Sequence, residues 1–396
     1  MKKREPIAPP AKLWNKYFIL CWVMQFLYFM AFNMSVPMIA KYVVFLGESV
    51  TIAGLVAGFF SVLALCIRPF VSFIVDHNGH KLMTIIAYVF SFIGFFGYAL
   101  APNVMAIVAA RVVHAVGLCL QTTSFGVVTC EFLPKDRVAE GIGYLGLSAV
   151  IAMAIAPATG DILVNIVGYR VTFAGAGVLM AAAIVVLLAT PISNVKSEQK
   201  GKISINDFIS LEFLPLAVTT MAFALCTGTT QSFILLSGEA MGIANVALFF
   251  VVSSIGMIAF RPAAGKITDR TGLRYILPVC FVAEAICMAG LAFANSLIAV
   301  LGCALARSFG QGTSQSSMQG QILKDAPDEK KGVAMGTFYL GMDVGQGTGA
   351  MLGGWIADNA GYSMMYLSCV GWLIVGFVAF LIYQRKQNKN PARSVI

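Results

Sequence analysis

Long apolar stretches alternate with short polar segments along almost the whole chain. Twelve stretches can be delimited, each of about 20 residues, which is the length that a helix needs to cross a hydrocarbon core of ~30 Å. They exceed the roughly 9–11 residues of a barrel strand and lack its residue-by-residue alternation. We therefore predict an all-α membrane protein with twelve transmembrane helices. The stretches cover roughly residues 17–40, 52–75, 83–101, 104–131, 141–167, 171–190, 211–237, 244–265, 275–294, 297–323, 332–357 and 362–383.

Composition supports a membrane location. Hydrophobic residues make up 59% of the chain and charged residues 11%, and the mean hydropathy is +0.83. So few polar side chains could not cover a soluble globule of this size. The first stretch follows Lys2, Lys3 and Arg4, but it is long and has no small-x-small cleavage site. We expect it to be a retained helix rather than a signal peptide.

A longer polar segment at residues 191–210 separates the stretches into two sets of six. The predicted domains are therefore an N-terminal six-helix bundle at residues 1–190, a cytoplasmic linker at 191–210 and a C-terminal six-helix bundle at 211–396. No polar segment is long enough to form a soluble catalytic or signalling domain. We expect neither an enzyme nor a sensor.

Basic residues are distributed unequally between the two predicted membrane faces. If both termini are on one face, 23 of the 27 Lys and Arg residues lie on that face or at helix ends beside it. Lys41 and Arg170 lie near the other face, and Arg111 and Arg307 lie inside spans. The positive-inside rule then predicts cytoplasmic termini and a multi-pass protein of a cytoplasmic (inner) membrane. The net charge of +9 reflects this topology rather than nucleic-acid binding.

Residues that bind metals or nucleotides are scattered or absent from the sequence. The nine cysteines all fall within predicted spans, without a C-x-x-C pair, and His77, His80 and His114 are too few to suggest a metal cluster. The sequence contains no G-x-x-x-x-G-K-[ST] motif for ATP. We expect no cofactor, with a proton gradient as the energy source.

An internal duplication with an offset of 193 residues runs through the chain. Its clearest block is Arg-Pro, then an aspartate, then Gly-x-Lys or Gly-x-Arg. Six crossings return the chain to its starting face, so the two copies are expected to be parallel repeats. Arg111 and Arg307, at an offset of 196, are taken as a further pair displaced by a short insertion. The block comprises Arg68, Pro69, Asp76, Gly79 and Lys81 in the first copy and Arg261, Pro262, Asp269, Gly272 and Arg274 in the second; Gly143, Gly160 and Gly168 recur as Gly336, Gly353 and Gly361.

This pattern resembles the major facilitator superfamily over essentially the whole chain, and within it the twelve-span drug/proton antiporter-like branch. The family's loop motif G-x-x-x-D-[RK]-x-G-[RK]-[RK] is matched by Gly265, Asp269, Arg270, Gly272 and Arg274, and more weakly by Asp76, Gly79 and Lys81. The resemblance implies two six-helix bundles related by pseudo-two-fold symmetry. It also implies that the motif gates transport at the inner face, where a carboxylate can pair with arginine or with helix N–H groups. The alternative is a set of solvated loop charges.

Two further motifs of the antiporter branch are partly present. Arg111, His114 and Gly117 match the fourth-span motif R-x-x-Q-G-x-G, with histidine in place of glutamine. The resemblance implies that Arg111 assists proton transfer or holds an anion, and His114 could titrate; both could instead be structural. Gly143, Pro157 and Gly160 match the glycine-proline motif of span five, which favours export, although close helix packing explains such residues equally well.

Asp343 is the leading candidate for proton coupling. It lies about eleven residues into span eleven, and its repeat counterpart is Val150, so the duplication does not account for it. A carboxyl at that depth could exchange a proton as access alternates. The alternative is an acid that pairs helices. Glu284 in span nine is interpreted as structural.

Polar residues in spans one, four, seven and ten indicate a central cavity. Arg307, Gln311, Gln315 and Gln319 form a stripe at helical spacing, which should point into protein or water rather than lipid. By resemblance, these four spans line the cavity. Its remaining candidate residues are Gln25, Asn33, Gln121 and Gln231, with Phe26, Phe29, Phe125 and Phe233 as an apolar wall.

These observations predict a proton-coupled secondary transporter that exports a small organic or amphiphilic molecule by alternating access. Its partners would be the lipid bilayer, the substrate and protons, without nucleic acid or an obligate protein partner, and the expected state is a monomer. The alternative is an importer or uniporter of a small organic anion, favoured by Arg111 and Arg307 in the cavity.

Overall fold

The structure is a computed structural model that describes residues 12–134, 137–192, 210–326 and 331–389. The described residues form α-helices and no β-strand, which confirms the predicted all-α class. Most of the predicted linker lies outside these residues. The helices are α1 (Lys16–Phe45), α2 (Val50–Asn78), α3 (His80–Leu100), α4 (Val104–Cys130), α5 (Val138–Ala189), α6 (Leu214–Ala240), α7 (Leu248–Thr271), α8 (Leu273–Ala292), α9 (Leu297–Asp325) and α10 (Lys331–Lys389).

Two of these ten helices are about twice as long as the others. Helix α5 has 52 residues and contains predicted spans five and six, with non-helical angles at Gly168 (φ 78°, ψ 170°). Helix α10 has 59 residues and contains spans eleven and twelve, with non-helical angles at Gly361 (φ 84°, ψ 166°). One glycine therefore replaces the expected loop in each case. The described residues therefore form ten helical elements, two of which are divided by a kink at a glycine, and twelve membrane crossings stay a prediction.

Eight of the described helices are long and apolar enough to cross a membrane. Helix α7 is apolar only over Leu248–Phe260. Helix α9 falls outside the eight because serine and glutamine occupy much of its sequence from Ser308 onwards. This polarity in one of the central predicted spans is what the candidate cavity would require.

The chain packs as two compact units, and their border passes through two helices. Unit 1 contains residues 12–38, 63–134 and 137–192, and unit 2 contains residues 39–62, 210–326 and 331–389. In unit 1, α3 packs against α4 and α5. In unit 2, α6 packs against α10, and α9 packs against α7 and α8. The end of α1 and the beginning of α2 therefore pack with helices of the second sequence half.

The same helix crossing occurs once in each unit. A Cβ on Gly117 would lie 2.9 Å from the carbonyl oxygen of Ala87, and a Cβ on Gly310 would lie 3.0 Å from that of Cys280. Ser91 also touches Gly117, as Glu284 touches Gly310. All three pairs of positions differ by 193, so α4 and α9 align without an insertion.

This alignment corrects the expected pairing of Arg111 with Arg307. At an offset of 193 the counterpart of Arg307 is His114, and that of Arg111 is Ala304. The pairing at an offset of 196 was wrong because it matched residue type without a structural register. The glycine contacts fix that register at the backbone.

Substitution of the two turn glycines tests their role as loop replacements. Gly168→Ala or Gly361→Ala should lower stability by about 1–3 kcal/mol, because these angles are essentially restricted to glycine. The matched control is Gly371→Ala, which lies inside α10 with open space at its Cβ position. Thermal unfolding of the detergent-purified protein measures the difference. Equal transition temperatures for Gly361→Ala and Gly371→Ala would contradict the assignment.

Candidate functional site

Two predicted cavity residues of unit 1 form a hydrogen bond with each other. The Gln121 side-chain amide on α4 donates to the Gln25 side-chain oxygen on α1 at 2.8 Å. Gln121 is buried and Gln25 is half-buried. The bond satisfies the Gln121 amide nitrogen and the Gln25 oxygen, while Gln25 keeps exposed surface. The pair is an uncharged polar group that could contact a ligand at the Gln25 side.

The aromatic candidates of unit 1 separate into two groups. Phe26 and Phe29 on α1 are half-buried, and Phe26 stacks on Trp22 at 5.7 Å. Phe125 is fully buried against the ring of Tyr88 at 5.9 Å. Asn33 donates to the carbonyl oxygen of Phe29 at 2.9 Å, within its own helix. Phe26 and Phe29 therefore retain surface for a ligand, whereas Phe125 serves packing.

Arg111 and His114 belong to a buried polar network between α1, α3 and α4. His114 has no exposed surface, and its Nδ1 lies 3.0 Å from the Tyr98 hydroxyl. Its ring packs against Phe95 at 4.5 Å and Phe32 at 5.9 Å. Arg111 is also buried, with Tyr98 beside its guanidinium group. Tyr98 therefore connects both candidates, and sequence reasoning missed it because nothing in the pattern links α3 to this pair.

In unit 2 the buried arginine has an acidic partner. Arg307 Nη1 on α9 donates to Glu284 Oε1 on α8 at 3.2 Å, and the side chains are 3% and 0% exposed. Gly310 makes room for this carboxylate, since a Cβ there would lie 2.8 Å from Glu284 Oε2. Opposite charges inside a membrane helix bundle are expected to pair. The sequence offered one indication of this ion pair, because a glutamate and an arginine both lie within predicted spans.

The polar stripe of α9 turns from α8 towards α10. Residues four apart on a helix differ by about 40° in direction, so Gln311 and Gln315 point progressively away from the Arg307 side. Gln311 is buried, and Gln315 is half-buried with its amide 3.5 Å from Met342 Sδ on α10. Gln319 is half-buried as well. The stripe therefore runs from the ion pair towards the neighbourhood of Asp343.

Asp343 lies on the side of α10 that faces away from α6. Gly341 and Gly345 press against the α6 carbonyl oxygens of Ala217 and Met221. Asp343, halfway between them in sequence, must point to the opposite side. One turn further along that side, Gly347 meets Ser61 of α2, where a Cβ would lie 2.9 Å from Ser61 Cβ. The side chain of Asp343 is half-buried and makes further contacts.

The two candidates on α6 have different surroundings. Gln231 is half-buried. Phe233 is fully buried, and its ring reaches Gly54 of α2 and Gly353 of α10. Phe233 therefore packs three helices together, and of these two candidates Gln231 is the one that keeps surface for a ligand.

Only part of the candidate gate falls within the described side chains. Lys81 Nζ donates to the carbonyl oxygen of Ile192 at 3.0 Å, and the Arg274 guanidinium lies 5.7 Å from the Tyr275 ring centre. Gly79 and Gly272 have φ values of 93° and 67° between consecutive helices. Arg68 is half-buried. The structure does not describe the surroundings of the other gate residues, which are Asp76, Arg261, Gly265, Asp269 and Arg270.

The span-five motif packs against α1. Pro157 and Gly160 are buried, and a Cβ on Gly160 would lie 2.6 Å from Met34 Cγ. Gly143 has open space at its Cβ position. Close approach thus explains Gly160, while the structure gives no packing reason for glycine at Gly143.

A polar cluster that the sequence did not indicate joins α1 and α2 to α6 and α10. The Lys41 ammonium group pairs with the Glu239 carboxylate. Thr51 Oγ1 donates to Asp358 Oδ2 at 2.8 Å. These partners are 198 and 307 residues apart in the chain. No periodicity or motif could have brought them together.

Comparisons with known proteins agree with this architecture. The family model for the Major Facilitator Superfamily matches residues 21–338 and 216–395. A multidrug resistance efflux pump PmrA homologue of Lactococcus lactis is 24% identical over 95% of this chain and 97% of that protein. Multidrug resistance protein MdtG of Serratia proteamaculans is 24% identical over 94% and 95%. The similarity to these two proteins therefore extends over almost the full length of each.

A solved structure has the same fold at low identity. It is a bacterial homologue of the human lysosomal transporter Spinster, in an inward-facing and unoccupied conformation, with a TM-score of 0.80 and 13% identity. The alignment covers 96% of this chain and 99% of that one. At this identity the likeness concerns the fold alone.

Mutation of the buried ion pair tests its contribution to stability. Glu284→Ala should lower the free energy of unfolding by about 3–5 kcal/mol, because it leaves the Arg307 guanidinium buried without its carboxylate. The double variant Glu284→Met/Arg307→Met should recover much of that loss. Arg137→Ala is the control: it breaks an exposed pair with Glu140 and should leave the unfolding temperature close to that of the wild type. Thermal unfolding in detergent would contradict the assignment if Glu284→Ala and Arg137→Ala behaved alike.

Proposed function

Because the chain belongs to the major facilitator superfamily, we propose that it is a proton-coupled secondary active transporter that exports a small organic or amphiphilic molecule by alternating access. The observation that best supports export is the end-to-end similarity to two proteins named for multidrug efflux or resistance. The long apolar helices place it in a membrane. We assign it to a cytoplasmic membrane with both termini in the cytoplasm, from the distribution of its basic residues.

Proton coupling is assigned to Asp343. Its side chain is half-buried on α10, points away from α6 and lies next in sequence to Met342, which Gln315 contacts. A carboxyl in the middle of a membrane helix is costly to keep and is a functional candidate by default. His114 is a weaker candidate for proton exchange than Asp343, because it has no exposed surface. Arg111, also buried, would act through Tyr98 rather than on substrate directly.

Each unit offers an uncharged polar surface for a substrate. In unit 1 it consists of Gln25 with the half-buried rings of Phe26 and Phe29. In unit 2 it consists of Gln231 on α6 and Gln315 on α9. Amide groups beside aromatic rings suit an amphiphilic molecule, which presents both polar and apolar parts. The burial of Phe125 and Phe233 makes them less suitable as ligand contacts than the prediction assumed.

The alternative is transport of a small organic anion, and the surroundings of both buried arginines argue against it. It rested on the positive charges of Arg111 and Arg307 in the cavity. The Glu284 carboxylate compensates the charge of Arg307, and Arg111 is buried beside Tyr98. An anion would have to displace these partners, so export of a neutral or amphiphilic molecule is preferred.

Substitution of Asp343 tests the coupling assignment. A ligand screen by thermal shift on the purified protein first identifies a substrate, and proton release on substrate addition is then measured. Asp343→Asn should abolish that release and lose transport driven by a pH gradient, while substrate binding remains. The control is Glu48→Gln, an exposed carboxyl in the α1–α2 connection, which should release protons as the wild type does.

Two results would contradict the proposal. Equal proton release from Asp343→Asn and wild type would show that Asp343 is not the coupling site. The direction of transport is measured separately, by uptake into inverted and right-side-out vesicles under an imposed pH gradient. Accumulation in right-side-out rather than inverted vesicles would favour the importer.

A further inference from the structure

The chain enters its first membrane helix through a strongly basic segment. Residues 1–16 contain one acid, Glu5, and five basic residues, which are Lys2, Lys3, Arg4, Lys12 and Lys16. The structure describes this segment from residue 12 onwards. Basic clusters directly before a membrane helix on the cytoplasmic side attract anionic lipid headgroups. Charge alone gives attraction to the membrane surface, so a defined site requires that these side chains are held in place.

Asn15 holds the described part of this segment against the end of α4. Its side-chain nitrogen donates to the carbonyl oxygen of Phe132, two residues beyond α4, at 2.8 Å. Its side-chain oxygen accepts from the backbone N–H groups of Tyr17 and Phe18 at 3.1 Å each, which caps the beginning of α1. Leu13, two residues earlier, is buried. The segment is therefore fixed to unit 1 by packing and hydrogen bonds.

Trp14 is the outermost member of an aromatic group between α1 and α5. Its ring meets Phe18 at 5.3 Å and Tyr144 at 5.1 Å, edge to face in both cases. The Tyr144 carbonyl oxygen accepts from Trp22 Nε1 at 3.0 Å, which ties α5 to α1. Trp14 stays 49% exposed, and its indole N–H has no partner among the described residues. A tryptophan with a packed ring and an available N–H is typical of the membrane interface.

Two exposed lysines, Lys12 and Lys16, flank this tryptophan in sequence. Neither ammonium group forms an ion pair or a hydrogen bond within the part of the chain that the structure describes. The acids at this end of unit 1 have contacts of their own. Glu140 binds Arg137 through two bonds of 2.7 Å, and Glu131 is half-buried with other contacts. Both ammonium groups are therefore available to an anionic ligand.

The side of α1 that continues from Lys16 into the membrane is apolar. Residues three, four and seven positions apart share one face of a helix. On this face Ile19 is exposed, and Leu20 and Val23 are half-buried. A phosphate group bound beside the lysine would therefore have an apolar surface below it on which an acyl chain can lie.

We propose that Lys12, Trp14 and Lys16 form a binding site for the headgroup of an anionic phospholipid in the cytoplasmic leaflet. The two ammonium groups bind the phosphate as point charges, and the indole N–H donates to an ester or hydroxyl oxygen of the headgroup. One acyl chain follows Ile19 along α1. This site goes beyond the proposed transport function and requires neither export nor proton coupling. It requires only the membrane location and the cytoplasmic N-terminus assigned above.

Native mass spectrometry of the detergent-purified protein measures the affinity for the first lipid bound. Phosphatidylglycerol should bind, whereas phosphatidylcholine should bind at least about tenfold more weakly, because it carries no net charge. Lys12→Gln/Lys16→Gln should raise the Kd for phosphatidylglycerol by about 30-fold, since each basic residue at a membrane surface contributes about fivefold. The matched control is Lys324→Gln/Arg385→Gln. It removes two exposed basic residues at the ends of α9 and α10 and should leave the Kd unchanged.

Asn15→Ala separates a preformed site from loosely held charge. It keeps both lysines but removes the contact with the Phe132 carbonyl oxygen, so the Kd should rise several-fold because the segment must be ordered on binding. An unchanged Kd would contradict a preformed site. Monodisperse elution and an unaltered helical circular dichroism spectrum establish that each variant is folded.

Two further results would overturn the proposal. Equal losses of affinity in the double lysine variant and in the matched control would show that general charge, not this site, attracts the lipid. Displacement of phosphatidylglycerol by an equal concentration of inorganic phosphate would show that the ligand is the free anion.

A photoactivatable phosphatidylglycerol in phosphatidylcholine liposomes gives an independent measurement of location. Its crosslinks should be concentrated on the peptide that contains Trp14, and Trp14→Leu should reduce them. Crosslinks spread evenly over the peptides of the cytoplasmic face would also overturn the site. Neither measurement uses transport. If no export is found while the lipid binds as expected, the proposed function fails and the lipid site stands.

Discussion

Direct backbone contact between helices, made at glycines, is the constraint on which the other features depend. Within lipid, helices gain little from burying apolar surface against each other, so close approach and polar contacts must hold them together. Gly341, Gly345 and Gly349 bring α10 against three carbonyl oxygens of α6. Gly117 and Gly310 do the same for α4 and α9. These contacts fix the register in which the candidate side chains of α4, α6, α9 and α10 are presented.

The crossing of α3 with α4 in unit 1 is equivalent to that of α8 with α9 in unit 2, but the side chains at the crossing differ. In unit 1 the position beside Gly117 is Ser91, which shares a hydrogen bond with Tyr28 at 3.0 Å. In unit 2 the equivalent residue is Glu284, paired with Arg307. His114, the counterpart of Arg307, contacts Tyr98 instead. The duplicated scaffold therefore carries Ser91 and His114 in one unit at the positions where the other unit holds an ion pair.

The sequence predicted the helical class, the duplication and the polar stripe of α9, since these follow from hydropathy and spacing. It placed a break between the spans at residues 358–361 but could not predict that Gly361 alone makes the turn, because Asp358 and Asn359 beside it suit a longer loop equally well. The alignment of His114 with Arg307 required backbone contacts, and the Lys41–Glu239 pair joins residues far apart in the chain. Phe125 and Phe233 were assigned to a cavity because an apolar residue in a membrane helix has no periodicity that separates packing from lining.

The turns at Gly168 and Gly361 also determine where the chain can be reached from the aqueous phase. Proteases and inserted epitope tags need an extended segment of several residues, which a helix interrupted by one glycine does not offer. The α1–α2 connection, with Gly47, Glu48 and Ser49 all exposed, does offer one. Topology mapping would therefore depend on exposed connections such as the one between α1 and α2, and a lack of signal from the glycine turns would carry no information about which side they occupy.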